Sequence, residues 1–266
     1  MITSASNDKI KHVAKLIKSS ADRRREGVFV VEGDRICGEV PTDRFVEGYV
    51  SEGYLEKNGI SIGNGTVSDD ACVINGVKYA IVSNAVYKKM SDTVSGQGIL
   101  CVVKQLRTDP VDFIDEYEDE KVKLLILESI QDPGNLGTMI RTAEAAGYDA
   151  IVTDRNTVDV YNPKVIRSTM GGIFRMPVMV TEDLMEFLKD ARIRGIELYG
   201  AILEGSVDYR ECRYSDRMGV LIGNEGNGLS REAQSMVDTK IRIPMAGKVE
   251  SLNAAVAAAV IMYRTM

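Results

Sequence analysis

Residues 123–147 read KLLILESIQDPGNLGTMIRTAEAAG, and this stretch decides the fold. Its first part, Leu124 to Glu128, is a short apolar run typical of a strand buried on both faces. The apolar spacing i, i+3, i+4, i+7 follows, at Leu136, Met139, Ile140 and Ala143. This spacing predicts a helix, and Gly147 is a typical residue to end it. The stretch therefore predicts a strand, a turn and a helix.

The same alternation continues towards the C-terminus. The pattern predicts strands over 150–153, 196–202 and 218–222, and helices over 181–194 and 231–237. We expect Ser230 to cap the second of these helices and Ser251 to cap a final apolar helix. Strand–helix alternation predicts an α/β fold with a mostly parallel sheet and helices on both faces.

An acidic stretch divides the chain. Between Thr108 and Glu120 it holds seven acidic residues, one proline and no basic residue. Such a stretch repels itself and is typical of a linker or a solvated helix. We therefore predict a small mixed α/β domain over 1–105, an acidic linker over 106–120 and the alternating domain over 121–266.

Cysteine and histidine usage excludes several kinds of site. The four cysteines lie far apart without a CxxC pair, and His12 is the only histidine of 266 residues. We therefore expect no structural metal site. A Ser-His-Asp or Cys-His mechanism could use only His12, which we expect at the surface of a lysine-rich helix.

The sequence holds no apolar run long enough to form a membrane-spanning helix. The longest apolar run, over 254–263, has ten residues and is too short to span a bilayer. The first residues hold no apolar core of a signal peptide. We expect a cytoplasmic protein without a membrane partner.

Basic residues are concentrated at the N-terminus, although the net charge is −6. Residues 1–25 hold seven basic and two acidic residues. A local basic patch is sufficient for phosphate contact. Candidates for RNA contacts are Lys9, Lys11, Lys15, Lys18, Arg23, Arg24 and Arg25. The alternative is a solvated helix face.

Three turns rich in glycine and asparagine follow predicted strands or extended runs, at 132–137, 223–228 and 243–253. We expect all three at the carboxyl edge of the sheet, where open α/β sheets bind ligands. Each turn alone also has a purely structural explanation. Their polar residues are Asn135, Glu225, Ser251 and Asn253, and burying each unpaired would cost about 1–3 kcal/mol.

Arg141 is expected near the start of its helix, where the helix dipole disfavours a cation. An anionic partner would offset this effect. The alternative to a functional anion is a salt bridge to a local acid such as Glu144.

The three turns resemble the motifs of the SpoU (TrmH-type) RNA ribose methyltransferases of the SPOUT superfamily. The segment 132–137 with Arg141 resembles motif 1, 223–230 resembles motif 2, and 243–253 resembles motif 3. Residues 1–105 resemble, more loosely, the family's L30e-like substrate-binding domain. The resemblance implies a trefoil knot, a homodimer with its active site at the subunit interface, and transfer of a methyl group from S-adenosyl-L-methionine to a ribose 2′-hydroxyl.

The resemblance also implies roles for individual residues. The implied catalytic set is Arg141, Asn135, Glu225, Ser251 and Asn253. The implied cofactor-binding set is Gly223, Asn224, Gly226, Ile243, Met245, Ser251 and Leu252. Arg141 is implied as the base, but a guanidinium is almost always protonated. It could instead grip an RNA phosphate while another group takes the proton.

The separate N-terminal domain favours ribosomal RNA (rRNA) as the substrate. Transfer RNA would be modified by the same chemistry and is the second candidate. Two further possibilities are a non-catalytic RNA-binding protein of the same fold and an α/β enzyme that acts on a small molecule.

Overall fold

The structure is a computed structural model and describes residues 1–60, 70–93, 95–117 and 120–266. Its helices are α1 (Asp8–Lys18), α2 (Ser20–Glu26), α3 (Asp34–Gly38), α4 (Glu52–Lys57), α5 (Asn84–Met90), α6 (Pro110–Asp115), α7 (Pro133–Ala145), α8 (Pro163–Thr169), α9 (Leu184–Ile193), α10 (Arg231–Met236) and α11 (Ala254–Arg264). Its strands are β1 (Val28–Glu32), β2 (Phe45–Ser51), β3 (Ala71–Ile74), β4 (Val77–Val82), β5 (Ile99–Lys104), β6 (Val122–Leu127), β7 (Ala150–Thr153), β8 (Val178–Val180), β9 (Glu197–Ala201), β10 (Val207–Asp208), β11 (Arg217–Ile222) and β12 (Thr239–Arg242). Within these ranges, none of the helices combines the length and apolar character needed to cross a bilayer.

Internal contacts divide the chain into two units. The first contains Met1–Gln105 and Tyr161–Phe174, and the second contains Leu106–Val160 and Arg175–Met266. The division differs from the predicted linker, because α6 belongs to the second unit. Phe113 and Ile114 of α6 are buried in its core, while the acidic residues of α6 lie on the exposed side. The high charge of this stretch therefore obscured an amphipathic helix.

The first unit is built on a five-stranded sheet with the order β1-β5-β2-β4-β3. Strands β2 and β4 pair in parallel, and the other neighbouring strands of this sheet pair in antiparallel orientation. Helix α1 begins after Asn7, whose side chain accepts from the backbone amide of Lys9. The apolar face of α1 is buried against this sheet, as its helical spacing predicts.

The second unit is built on a parallel sheet with the order β10-β12-β9-β11-β6-β7-β8. Strand β6 lies between β11 and β7, and its residues 124–127 are fully buried. The prediction of a strand buried on both faces is therefore confirmed. Because the sheet is parallel, the turns after β6, β7 and β11 emerge at the same edge.

Helix boundaries in the second unit agree with their sequence signals in two places. Helix α7 ends at Ala145, and Gly147 adopts a φ of 68°. Helix α10 is capped by Ser230, whose side chain accepts from the backbone amide of Ala233. Both ends follow from residue chemistry alone, because glycine tolerates a left-handed φ and serine supplies an acceptor.

The C-terminal helix α11 packs against α7. Its last turn is fixed by Lys123 of β6, whose Nζ donates to the carbonyl of Thr265 at 2.7 Å. The hydroxyl of Tyr148 lies 2.9 Å from that of Thr265. These contacts join the end of α11 to β6 and to the segment between α7 and β7. The trefoil knot implied by the resemblance stays a prediction.

We predict that Phe113→Ala lowers the free energy of unfolding of the second unit by about 3–5 kcal/mol, because it removes a buried aromatic side chain from the core. Urea unfolding followed by circular dichroism measures this change. The exposed neighbour Glu116 is the control, and Glu116→Ala should change the same quantity by less than about 0.5 kcal/mol. Equal effects of the two substitutions would contradict the packing of α6.

Candidate active site

The loop after β11 is a tight turn that requires glycine. Backbone hydrogen bonds join Asn224 and Gly228 in both directions, at 3.0 and 2.9 Å. A Cβ on Gly223 would overlap the backbone of Gly228 and Leu229. Glycine at 223 is therefore required by the close approach of two backbone segments.

Asn224 directs its side chain into its own loop. Its Oδ1 accepts from the amides of Gly226 and Asn227, and its Nδ2 donates to the carbonyl of Ser129 at 2.8 Å. The residue therefore shapes the loop and ties it to the end of β6.

Glu225 binds the turn between β6 and α7. Its Oε1 accepts from the amide of Asp132 and from Nδ2 of Asn135, both at 3.0 Å. Its Oε2 accepts from the amide of Gln131 at 3.0 Å. One carboxylate therefore connects the loop after β11 to the first turn of α7.

The pKa of Glu225 lies below its ordinary value. Burial raises this pKa, but the hydrogen bonds from Asn135 and from the amides of Gln131 and Asp132 together outweigh burial. These bonds favour the ionised carboxylate, which accepts hydrogen bonds and does not donate them.

Asn135 extends the network to the third turn. Its Oδ1 accepts from Nδ2 of Asn253 at 2.9 Å. Oδ1 of Asn253 in turn accepts from the amides of Ala255 and Val256 and caps α11. The prediction that Ser251 caps this helix is therefore wrong. The helix starts two residues later than expected, and asparagine is as good a cap as serine.

The segment 243–252 leads from β12 to α11. Its amides donate to no backbone carbonyl of another described residue. Ile243, Met245 and Leu252 are half-buried, whereas Ser251 is exposed. Backbone donors beside half-buried apolar side chains fit a ligand with a flat ring and polar edges, such as adenosine. The residues present are therefore compatible with the expected cofactor.

The side chain of Arg141 takes no part in this network. It is the ninth of the 13 residues of α7, so the prediction that it lies near the helix start is wrong. The helix begins at Pro133, well before the apolar pattern from which its start was judged. Glu144 pairs with Arg175 at 2.8 Å and not with Arg141. Arg141 is exposed and forms no hydrogen bond or ion pair with the described residues.

The N-terminal basic residues differ in their availability. Arg23 is 3% exposed, and its Nη1 donates to the carbonyls of Leu16 and Ile17 at the end of α1. Its candidacy for RNA contact is therefore wrong. The sequence could not show this, because it does not reveal whether an arginine binds the free carbonyls at a helix end or remains available to a phosphate.

Several other basic residues of this region are engaged by acids. Lys15 and Arg25 both pair with Asp22, and Lys11 pairs with Asp8. Hydrogen bonds from Ser19 and from the two cations at Asp22 lower the pKa of Asp22 to about 2.

The remaining basic residues of the same region lie at the surface. Arg24 is exposed. Lys9 and Lys18 are exposed and form no ion pair with the described residues. These two lysines are therefore the basic side chains most available to a phosphate.

No metal site is found in the described part of the chain. No group of three or more His, Cys, Asp or Glu side chains there could hold an ion. The four cysteines are free and buried. Nε2 of His12 lies 2.5 Å from a carboxylate oxygen of Glu26, and its side chain is 41% exposed.

The sequence analysis did not identify Ser129 and Asp154, which hold the turn between β6 and α7. Ser129 has a φ of 57°, and Asp154 accepts hydrogen bonds from its amide and its hydroxyl. A signal was available, because Asp154 is the first charged residue after the apolar strand β7, as Glu128 is after β6.

Family models match both parts of the chain. The SpoU rRNA Methylase family matches residues 123–263, and the MRM3-like substrate binding domain matches residues 7–101. A similar curated protein is the 23S rRNA (guanosine(2553)-2′-O)-methyltransferase RlmP of Bacillus subtilis (strain 168). It is 33% identical over 266 residues, which cover 98% of this chain and 97% of the relative.

Solved structures are similar along nearly the whole chain. The AdoMet-bound rRNA methyltransferase of Sinorhizobium meliloti is 27% identical with a TM-score of 0.79, and covers 99% of this chain and 95% of that one. A structure described as an RNA 2′-O ribose methyltransferase is 25% identical with a TM-score of 0.75, and covers 99% of this chain and 96% of that one.

We predict that Glu225→Gln destabilises the protein at neutral pH and that this difference disappears in acid. The folded pKa is lowered, so the stabilisation is present above the ordinary glutamate value of about 4.3 and is lost as the pH falls through the folded pKa. Urea unfolding of both proteins between pH 7 and pH 3 measures it. Glu232→Gln, at an exposed position, is the control, and a pH-independent difference for Glu225→Gln would contradict the prediction.

Proposed function

The chain belongs to the SpoU rRNA methylase family, and from this membership we infer that it is an S-adenosyl-L-methionine-dependent RNA 2′-O-ribose methyltransferase acting on rRNA. The observation that carries the inference is the network of Glu225, Asn135 and Asn253. It joins three segments that are far apart in sequence and resemble the family's three motifs. The relative RlmP acts on 23S rRNA by its name, and we propose 23S rRNA as the substrate class here.

The reaction forms a bond between the ribose 2′-oxygen and the methyl carbon, breaks the bond from that carbon to sulfur, and releases the hydroxyl proton. When bound, the cofactor supplies an electrophilic methyl group on a sulfonium. Positioning contributes most to such a transfer, because the attacking oxygen must approach in line. The protein's main task is therefore to hold two ligands in a fixed geometry.

We propose that the cofactor is held by the segment 243–252 and the loop after β11. The amides of Ile243, Met245 and Leu252 would donate to it, and their apolar side chains would pack on its adenine. Gly223 and Gly226 would allow close backbone approach, and Asn224 would act by shaping the loop. Ser251, an exposed residue of this segment, would contact the ligand through its hydroxyl.

Glu225, Asn135 and Asn253 are proposed to orient the site and not to carry the proton. Asn135 and Asn253 hydrogen-bond each other, and Asn135 also binds Glu225. The lowered pKa of Glu225 makes it a weak base near neutral pH. These three residues therefore hold the motif 1 and motif 3 segments at a fixed spacing.

Arg141 is proposed to act on the RNA. Its exposed guanidinium has no partner among the described residues, so it is available to an anionic ligand. Either it takes the hydroxyl proton, as the family resemblance implies, or it grips a phosphate and orients the hydroxyl. The second role fits its chemistry better, because guanidinium binds phosphate in a bidentate manner and stays protonated.

A homodimer is proposed from the same resemblance, with the active site at the subunit interface. A cytoplasmic location stays a prediction.

The proposed function is tested by incubating the protein with labelled S-adenosyl-L-methionine and, in separate reactions, with unmodified 23S rRNA and unmodified transfer RNA. Mass spectrometry of the digested RNA should find a 2′-O-methylated nucleoside. Label found only in transfer RNA would support transfer RNA as the substrate. RNA binding without methylation of any RNA would support a non-catalytic RNA-binding protein.

We predict that Arg141→Ala reduces methylation at least about 100-fold and leaves cofactor affinity within about three-fold, because a positioning contact to RNA is lost while the cofactor segments stay intact. Single-turnover methylation and calorimetric titration measure the two quantities. Arg141→Lys keeps the charge without the planar fork and should retain partial activity. Lys189→Ala, at an exposed position of α9, is the control, and unchanged turnover in Arg141→Ala would refute the role.

We predict that Lys9→Ala with Lys18→Ala weakens RNA binding and leaves cofactor affinity unchanged. Each lost phosphate contact should make the negative slope of log K against log salt concentration shallower by about 1. Filter binding at several salt concentrations measures it. Arg25→Ala is the control, because that guanidinium already pairs with Asp22 and Glu26. An unchanged slope in the double variant would exclude this helix from the RNA interface.

A further inference from the structure

Residues 129–132 form the turn between β6 and α7. Each of their four backbone amides donates to a side chain from another loop. The last two donate to Glu225. The amide of Ser129 donates to Oδ1 of Asp154 at 2.9 Å, and the amide of Ile130 donates to Oγ1 of Thr157 at 3.2 Å. The turn is therefore held on one side by the loop after β11 and on the other by the loop after β7.

Asp154 directly follows β7 and is 8% exposed. Its Oδ1 also accepts from the amide and the hydroxyl of Thr157, at 2.9 and 2.7 Å. Its Oδ2 accepts from the hydroxyl of Ser129 at 2.8 Å. A buried carboxylate that accepts four hydrogen bonds holds its donors rigidly, because moving any of them would leave charge unsolvated.

Ser129 adopts a left-handed backbone with a φ of 57°. This conformation is unfavourable for a residue with a Cβ, because the Cβ comes close to the following carbonyl oxygen. The two hydrogen bonds to Asp154 hold Ser129 in this state. Without them, relaxation of φ would rotate the amides that follow, including those that bind Glu225. The carbonyl of Ser129, which accepts from Asn224, would move with them.

We propose that Asp154 is a positioning residue for methyl transfer, because it holds Ser129 and Thr157 and thereby fixes the backbone amides to which Glu225 binds. The inference rests on the proposed function. Asp154 is expected to touch neither ligand. It acts through the turn, so its loss displaces Glu225 and Asn135 together.

Asp154→Ala should lower kcat at least about ten-fold while the KM for RNA changes less than about three-fold, since a displacement of about 1 Å is enough to slow transfer strongly. Asp154→Asn should recover kcat to within about three-fold, because its Oδ1 can still accept from the amides of Ser129 and Thr157 and its Nδ2 can donate to the hydroxyl of Ser129. Steady-state methylation of 23S rRNA at saturating cofactor measures both parameters.

The matched control is Met179→Ala on β8. Met179 is 3% exposed and belongs to the core of the same unit. This variant should lose stability without a specific loss of kcat when it is assayed well below its melting temperature. A fall in kcat of the same size in both variants would overturn the inference.

A second readout needs no activity. In protein with 13C-labelled glutamate side chains, Asp154→Ala should shift the pKa of Glu225 upwards, towards its ordinary value, and Met179→Ala should not. If the protein without substitutions methylates no RNA and this pKa shift is seen, the proposed function is wrong, whereas the structural link from Asp154 to Glu225 is supported. If the protein is active and Asp154→Ala changes neither kcat nor the Glu225 titration, the coupling fails alone.

Discussion

The carboxylate of Glu225 is the contact on which the site depends. It accepts from two backbone amides and one side-chain amide of the turn between β6 and α7. Each of these bonds fixes that turn to the loop after β11. Asn135 in turn accepts a hydrogen bond from Asn253, which caps α11. One ionised side chain thus sets the relative positions of all three motif segments.

The sheet makes this contact possible. Strands β11, β6 and β7 are neighbours, and Leu127 pairs in register with both Ile222 and Thr153. The residues that follow each strand are therefore level at one edge of the sheet. Loops that begin at the same edge of a parallel sheet lie close together, so a side chain of one loop can bind the backbone of the next. The alternating apolar pattern of the sequence thus determines which polar residues meet.

Most elements of the parallel sheet and the polar members of its turns could be predicted from the sequence, because burial and period leave a clear pattern. The choice of Asn253 over Ser251 as the cap of α11 could not, since both residue types cap helices equally well. Arg23, which closes the end of α1, was misjudged for a related reason. Both outcomes depend on contacts between particular side chains and backbone groups, which cannot be predicted from the apolar periodicity of the sequence. The amphipathic helix α6 was not predicted, because the acidic residues of this stretch outnumber the buried residues Pro110, Phe113 and Ile114.

The geometry separates residues that are already engaged from those that are available for chemistry. Asn135, Asn253 and Glu225 direct their polar groups at one another, and the lowered pKa of Glu225 removes it from the candidates for general base. Arg141 and Ser251 remain exposed. A protonated guanidinium orients an anion better than it accepts a proton. The exposed guanidinium of Arg141 therefore suits the binding of an RNA phosphate better than the removal of the hydroxyl proton.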